Sequence, residues 1–339
     1  MLFGVITLMA TQFSDDVIQG HKVIQALDVE DLPSGEHKFW FRIATNALSQ
    51  WQHLPVLVFK GQKPGKKIMI TAGVHGDEYN GVLAAQKTAR ELIGADLAGT
   101  VTIVPGINLS GMLNKSRDFC SPDPDASRAN LNRFFPGNEF GNEANRYLYT
   151  LWNQLLKPNA DLAIDLHTQT SGAAYPLYVF ADFRIEDSLK MARHINPDVI
   201  LDDPGENGVL ETAWNNVGVP AVTVEVGTGR YTDQALIDRT VTGIFNILKQ
   251  FELLSGVPTP IQSCVEGREI INVRAELGGF VLPQVNILQS VEQGQLVAIQ
   301  YDSFGDEIQR YTAPASGTVI SHNVESIRAA GSLLVRLIK

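Results

Sequence analysis

Three apolar runs in this chain each stop on a side chain that can bind a cation or move a proton. Ile68-Met69-Ile70-Thr71-Ala72 leads into Gly73-Val74-His75-Gly76-Asp77-Glu78-Tyr79-Asn80-Gly81. Leu162-Ala163-Ile164-Asp165-Leu166 ends on His167, and Val219-Pro220-Ala221-Val222-Thr223-Val224 ends on Glu225. Short apolar runs bounded by turn residues read as buried strands. In open α/β sheets the carboxyl ends of the strands hold the chemistry. Strand ends placed side by side would therefore gather two imidazoles and two carboxylates at one edge. Two His and one Glu with a further carboxylate nearby is the composition of a catalytic zinc site that keeps a position open for water. Each element alone says little. His-x-x-Glu pairs are common by chance, a strand-end histidine is often merely satisfied, and Glu225 alone would pass for a buried, paired carboxylate. The combination carries the reading.

From about residue 56 to 250 short apolar strands alternate with amphipathic runs. The strands are Val56–Phe59, Ile68–Ile70, Val101–Val104, Tyr175–Phe180, Val199–Leu201 and Val219–Val224. Helices are expected over Asn80–Ile93, Glu143–Leu156 and Leu236–Leu254. This alternation predicts an α/β fold, with a largely parallel or mixed sheet covered on both faces. The polar stretch Asn108–Gly141 carries Arg117, Arg128, Asn132 and Arg133. Long polar loops in compact domains tend to be functional, and this one can fold over the strand ends.

The character changes after Gly256-Val257-Pro258-Thr259-Pro260. From Cys264 to Lys339 the runs Ala275–Val281, Leu296–Gln300, Ile308–Thr312, Thr318–Ser321 and Leu333–Ile338 read as strands of a small barrel or sandwich. We therefore expect a catalytic domain over 1–260, with 1–50 as a lead segment, and a β-rich module over 261–339. The apolar start Met1–Ala10 has no Lys or Arg before it and is too short to span a bilayer; it reads as part of the lead segment.

A net charge of −10 argues against nucleic acid and anionic membrane as partners. An anionic substrate would need local arginines. Two well-separated cysteines, Cys120 and Cys264, give no disulfide framework; the expected setting is a reducing one, the cytoplasm. A homo-oligomer stays open.

Taken in order, Gly73-Val74-His75-Gly76-Asp77-Glu78, Leu131-Asn132-Arg133-Phe134-Phe135-Pro136-Gly137, Asp165-Leu166-His167 and Val224-Glu225-Val226-Gly227 resemble the succinylglutamate desuccinylase/aspartoacylase family, which is related to the zinc carboxypeptidases. The resemblance covers roughly residues 55 to 250 and implies a zinc-carboxypeptidase-like mixed sheet flanked by helices. It implies one Zn2+ per chain on His75, Glu78 and His167, with Glu225 as the general base. Asn132 and Arg133 match the pair that grips a substrate carboxylate. Arg117 is the best match for the arginine that polarises the scissile carbonyl, with Arg128 as its rival. One departure stands out: the family commonly has Asp where this chain has Asn130, which puts a contact behind the metal ligands in question. Asp165 can orient a ligand histidine or simply cap its strand end.

The residue types suit that chemistry. Zinc on two neutral imidazoles and one carboxylate stays net positive, activates water and polarises a carbonyl. A nearby carboxylate relays the proton to the leaving amine, and a guanidinium fork reads a carboxylate in two-pronged fashion. The expected function is a zinc-dependent deacylase of a small N-acyl amino acid, acting on a linear amide. A zinc carboxypeptidase or amidase acting on a short peptide is the nearest alternative, and a non-catalytic metal-binding protein the more distant one. The C-terminal runs Ala275–Val281, Val291–Leu296 and Ala313–Val319 resemble half-repeats of biotinyl/lipoyl carriers. The stretch Ala275–Ile338 has no lysine, which leaves a lid or assembly role for the module.

Overall fold

The structure, a computed structural model, describes residues 10–339. The first strands in chain order are β1 (Gln12–Ile18), β2 (His21–Ala26), β3 (Gly35–Thr45), β4 (Trp51–Lys60), β5 (Lys63–Ala72) and β6 (Ala98–Val104). They are followed by β7 (Leu162–Gln169), β8 (Ala173–Ala174), β9 (Leu177–Ala181), β10 (Val199–Asp202), β11 (Ala221–Thr228) and β12 (Val265–Gly267). All but β8 join one 11-stranded sheet in the order β1-β2-β3-β4-β6-β5-β7-β11-β9-β10-β12. The sheet is mixed: β6, β5, β7 and β11 run parallel, whereas β4 and β9 flank them antiparallel. From β5 the chain goes first to β6 on one side and later to β7 on the other, so the sheet has its switch point, and hence its crevice, beside His75.

Side chains alternate across this sheet with period two. Ile68, Ile70, Ile164, Leu166, Val222 and Val224 point into one apolar layer, built with Val82, Ala85, Ile237, Val241 and Ile244 of α1 (Tyr79–Glu91) and α6 (Gln234–Gln250). Met69, Ala163 and Ala221 belong to the opposite layer. That layer is built with Leu148 and Leu151 of α3 (Glu143–Leu151) and Trp214 of α5 (Leu210–Asn216). α2 (Leu109–Leu113) and α4 (Glu186–His194) complete the helices. α6 starts where the side chain of Asp233 accepts from the Leu236 N–H, and α3 where Asn142 accepts from the Asn145 N–H. No helix among the described residues is long and apolar enough to cross a membrane.

Several expectations shift. Of the lead segment expected over 1–50, residues 1–9 lie outside the described residues, and the rest supplies β1, β2 and β3 to the sheet edge. The helix expected over Glu143–Leu156 is regular only to Leu151. It widens into a π turn at Trp152–Leu156 and tightens at Lys157–Asn159, where Pro158 has no N–H to continue it. The strand expected over Ala275–Val281 forms instead at Gly279–Pro283, because Gly278-Gly279 breaks the run, with Gly279 at φ +157°.

The remaining strands are β13 (Ile270–Arg274), β14 (Gly279–Pro283), β15 (Ser290–Val291), β16 (Leu296–Tyr301), β17 (Glu307–Thr312), β18 (Gly317–Asn323), β19 (Ile327–Arg328) and β20 (Leu333–Ile338). They form two antiparallel sheets, β13-β20-β18-β15 and β17-β16-β14-β19. Val273, Val319, Val335 and Leu337 of one meet Val281, Val297 and Tyr311 of the other in a shared core, which makes the module a sandwich. Strands cross between the units: β12 pairs with β10 in the large sheet, and β8 pairs with β18.

Candidate active site

The turn from β5 into α1 holds His75 and Glu78, and it lies deep: they are 3% and 2% exposed. Gly76 has to be glycine there, since a Cβ would come within 2.1 Å of the Gly111 carbonyl carbon. β7 brings His167 beside this turn, and register sets Glu225 of β11 directly opposite His167. All four are buried, and ligating atoms of His75, Glu78 and His167 lie within 4.8 Å of one another.

The carboxylate of Glu78 joins the two rings. It is 2.9 Å from His75 Nδ1 and 2.8 Å from His167 Nδ1, and the two Nδ1 atoms are 3.2 Å apart. It also accepts from the Thr168 N–H at 3.1 Å and from Arg117 at 2.5 Å. The far nitrogens of the rings have their own partners: His167 Nε2 lies 2.6 Å from Asp165 Oδ2, and His75 Nε2 lies 2.9 Å from Asn130 Oδ1. Donation of Nε2–H to these oxygens leaves both Nδ1 lone pairs converging on one point. Asp165 is itself held by the Thr71 hydroxyl at 2.7 Å.

The electrostatics follow from this crowding. Burial opposes the charge on Glu78, but the facing imidazoles outweigh it and hold the carboxyl well below its ordinary value. Burial likewise opposes a charge on His167, yet Asp165 and Glu78 raise its pKa well above the usual imidazole range. Such a centre attracts positive charge. Glu225 behaves differently: burial, reinforced by the charge of Glu78, pushes its carboxyl up to about 8. Its Oε2 is buried without a hydrogen-bond partner among the described residues.

These groups open into a cavity of about 260 Å³. Arg117, Asn132 and Arg133 line it, whereas Arg128 lies in a neighbouring cleft with Lys115, Cys120 and Arg230. The buried Asn132 accepts from the Leu210 N–H at 2.8 Å and so ties its loop to the start of α5. Arg133 is half-exposed, donates to the Asn132 carbonyl at 2.6 Å and stands 3.8 Å from Glu206. Asp203, Glu206 and Glu211 also line the cavity and were not among the residues expected there. Asp203 and Glu206 belong to Asp202-Asp203-Pro204-Gly205-Glu206, which has the composition of a solvated turn and so hides its inward side chains, and Glu211 follows in the first turn of α5. Residues 168–170 form another wall. The loop beyond them is held by the C-terminal sandwich, through β8, through the Val324 N–H donating to Gly172 O at 3.0 Å, and through Arg328, which donates to the same carbonyl.

Residues 64–251 match the model of the succinylglutamate desuccinylase/aspartoacylase catalytic domain. The chain belongs to the succinylglutamate desuccinylase/aspartoacylase family. It is 28% identical over 282 residues to the N-alpha-acetyl-L-2,4-diaminobutyric acid deacetylase of Halomonas elongata, spanning 79% of this chain and 80% of that protein. Its fold is similar to that of the product-bound ectoine utilization protein EutE (DoeB) from Ruegeria pomeroyi, with TM-score 0.78, 22% identity, and coverage of 91% and 97% of the two chains. A succinylglutamate desuccinylase from a Silicibacter species gives TM-score 0.77, 24% identity, and coverage of 91% and 98%. As a family member the chain is a hydrolase of the deacylase class.

Proposed function

We propose that this deacylase releases the acyl group of a small N-acyl amino acid, using one zinc ion held by His75, Glu78 and His167. The observation that carries the reading is the convergence of two Nδ1 lone pairs and a carboxylate, 2.8–3.2 Å apart, beside the unpartnered Oε2 of Glu225. Donors at about 2.0–2.1 Å on a tetrahedral ion stand about 3.3–3.4 Å from one another, close to the spacing of these three. Zinc bound there would supply Lewis acidity to water and to the scissile carbonyl.

The chain's own residues supply the rest. Glu225 is the base: it takes the proton of the attacking water and returns it to the leaving amine. A carboxyl raised by burial toward neutrality is matched to both duties. Arg117 reaches the cavity from the side of Glu78 and stabilises the oxyanion. Arg133 grips the substrate carboxylate, while Asn132 fixes its turn.

A cavity of about 260 Å³ favours a small substrate over a peptide. We infer that the catalytic unit ends near residue 260, apart from β12 (Val265–Gly267), which adds to its sheet edge, and that the module beyond helps to wall the site by holding the loop after β7. Two free, partly buried thiols suit a reducing compartment, and we place the protein in the cytoplasm. The test is a side-by-side assay of the metal-loaded protein on N-acyl amino acids and dipeptides, with and without a chelator. Turnover confined to peptides would replace this reading with the carboxypeptidase one. Turnover unaffected by chelation would remove the metal from it.

A further inference from the structure

Arg133, the proposed reader of the substrate carboxylate, has two contacts of unlike strength. Its Nη1 donates to the Asn132 carbonyl at 2.6 Å, and its Nη2 lies 3.8 Å from Glu206 Oε2. The first contact is fixed, because Asn132 is buried and its side chain accepts from the Leu210 N–H at 2.8 Å. The second joins two turns that are docked on each other. The Phe135 N–H donates to Gly208 O at 3.0 Å, and a Cβ on Gly208 would come within 2.3 Å of the Arg133 carbonyl oxygen. Gly208 also stands at φ +91°, so its conformation and its neighbour both require glycine. The turn bearing Glu206 is thus seated on the backbone of Arg133, which makes the two side chains neighbours.

The backbone of Glu206 is anchored, whereas its carboxylate is held loosely. The Glu206 N–H donates to Thr212 Oγ1 at 3.0 Å, and its carbonyl accepts from the Val209 N–H at 3.2 Å. The side chain is 67% exposed and pairs only with Arg133 among the described residues. Asp203, another acid of this wall, is engaged by the Gly205 N–H at 2.9 Å. An exposed ion pair at the separation of Arg133 and Glu206 is weak. A carboxylate that takes two parallel bonds from a guanidinium is held more strongly. Both two-pronged edges of a guanidinium, end-on and side-on, include Nη2, and that is the nitrogen Glu206 faces. A substrate carboxylate bound in this way meets Glu206 at the same cation, and two like charges at one site repel.

We propose, on the deacylase reading above, that Glu206 is the resting counter-ion of Arg133, that the substrate carboxylate displaces it, and that Glu206 thereby sets how tightly the enzyme holds a free carboxylate. The experiment measures kcat and KM of the metal-loaded full-length enzyme for an N-acetyl amino acid and for its methyl ester. Wild type, Glu206→Gln, Arg133→Ala and the double variant are compared. Glu206→Gln keeps the shape of the side chain and removes its charge. Its KM for the free acid should fall about two- to fivefold, the worth of one exposed ion pair, while kcat and the KM for the ester stay near their wild-type values. In the Arg133→Ala background the same substitution should leave the KM for the acid where it was, because the two residues act as one pair. A KM for the acid that is unchanged in Glu206→Gln overturns the inference. So does a raised one, which would mean that Glu206 holds the guanidinium in place for the substrate. An equal fall for acid and ester, or the same fall without Arg133, also overturns it, since Glu206 would then act on the substrate directly. In each of these cases wild-type turnover leaves the deacylase reading standing. Failure of the wild type to hydrolyse any N-acyl amino acid overturns the deacylase reading, and this inference with it.

Discussion

Glu225 and His167 face each other as register partners on the adjacent parallel strands β11 and β7. The pairing sets a carboxylate raised by burial beside an imidazole whose Nδ1 points at Glu78. Glu225 has ladder partners on both sides, His167 and Tyr178, and His167 is fixed by Glu225 one residue past the last β5–β7 pair, Ala72–Leu166. Proposed ligand and proposed base are thus held at fixed separation by the sheet, not by loops.

The purified protein is expected to hold close to one zinc per chain, and His75→Ala or His167→Ala to lose it. Elemental analysis after dialysis checks this. Added zinc should also raise the melting temperature of the stripped wild type, because a ligand that binds only the folded state stabilises it. Equal metal content in wild type and the double variant would rule the site out.

Glu225→Gln should retain the metal while kcat falls by about two to four orders of magnitude. Its wild-type carboxyl sits high, at about 8. A base works only when deprotonated, so kcat/KM should rise with pH through the Glu225 pKa. A bound cation favours the charged form and moves that rise below 8. The rising limb should vanish in Glu225→Gln; a fully active variant with an unchanged profile would show that another group is the base.

The two histidines proposed as ligands are backed unequally, His167 by the carboxylate of Asp165 and His75 by the neutral amide of Asn130. Partners behind metal ligands typically change metal affinity by about 10- to 100-fold. Asp165→Asn should weaken zinc in a chelator competition by about that factor. Asn130→Asp should tighten it, since a charged acceptor makes the ring a better donor. Movement of both affinities in the same direction would contradict this account.

Arg133→Ala should lower kcat/KM about ten- to hundredfold, the equivalent of about 1.5–3 kcal/mol for a charge-assisted contact. Arg133→Lys should recover little of it, because lysine lacks the planar fork. Wild type should prefer an N-acyl amino acid over its methyl ester, and Arg133→Ala should lose that preference with its zinc intact. Undiminished discrimination in the variant would shift the role to another arginine.

What the sequence alone determined was the set of residues whose placement is local. An apolar run that leads to His167 or Glu225 states both the strand and the residue close to its carboxyl end, although β7 and β11 continue to Gln169 and Thr228, since strand period and turn chemistry act over a few positions. His75 and Glu78 share one turn, so their spacing was legible before any fold. The change of character near residue 260 was equally plain in composition. The order of strands β5, β7 and β11 was not legible, because pairing depends on contacts about a hundred residues apart. Only that order brings His75, His167 and Glu225 together. The same holds for the loops. The resemblance favoured Arg117 over Arg128 and set Asn130 behind the expected ligands, but the composition of the stretch 108–141 does not itself say that Arg117 enters the cavity while Arg128 turns to a neighbouring cleft, or that the ring Asn130 backs is that of His75. The acidic turn before α5 reads as solvated until Asn132 and Phe135 draw Leu210 and Gly208 against the site, where Glu211 of α5 is buried. Local propensity acts along the chain, whereas burial and charge pairing depend on which distant segments the tertiary structure packs together.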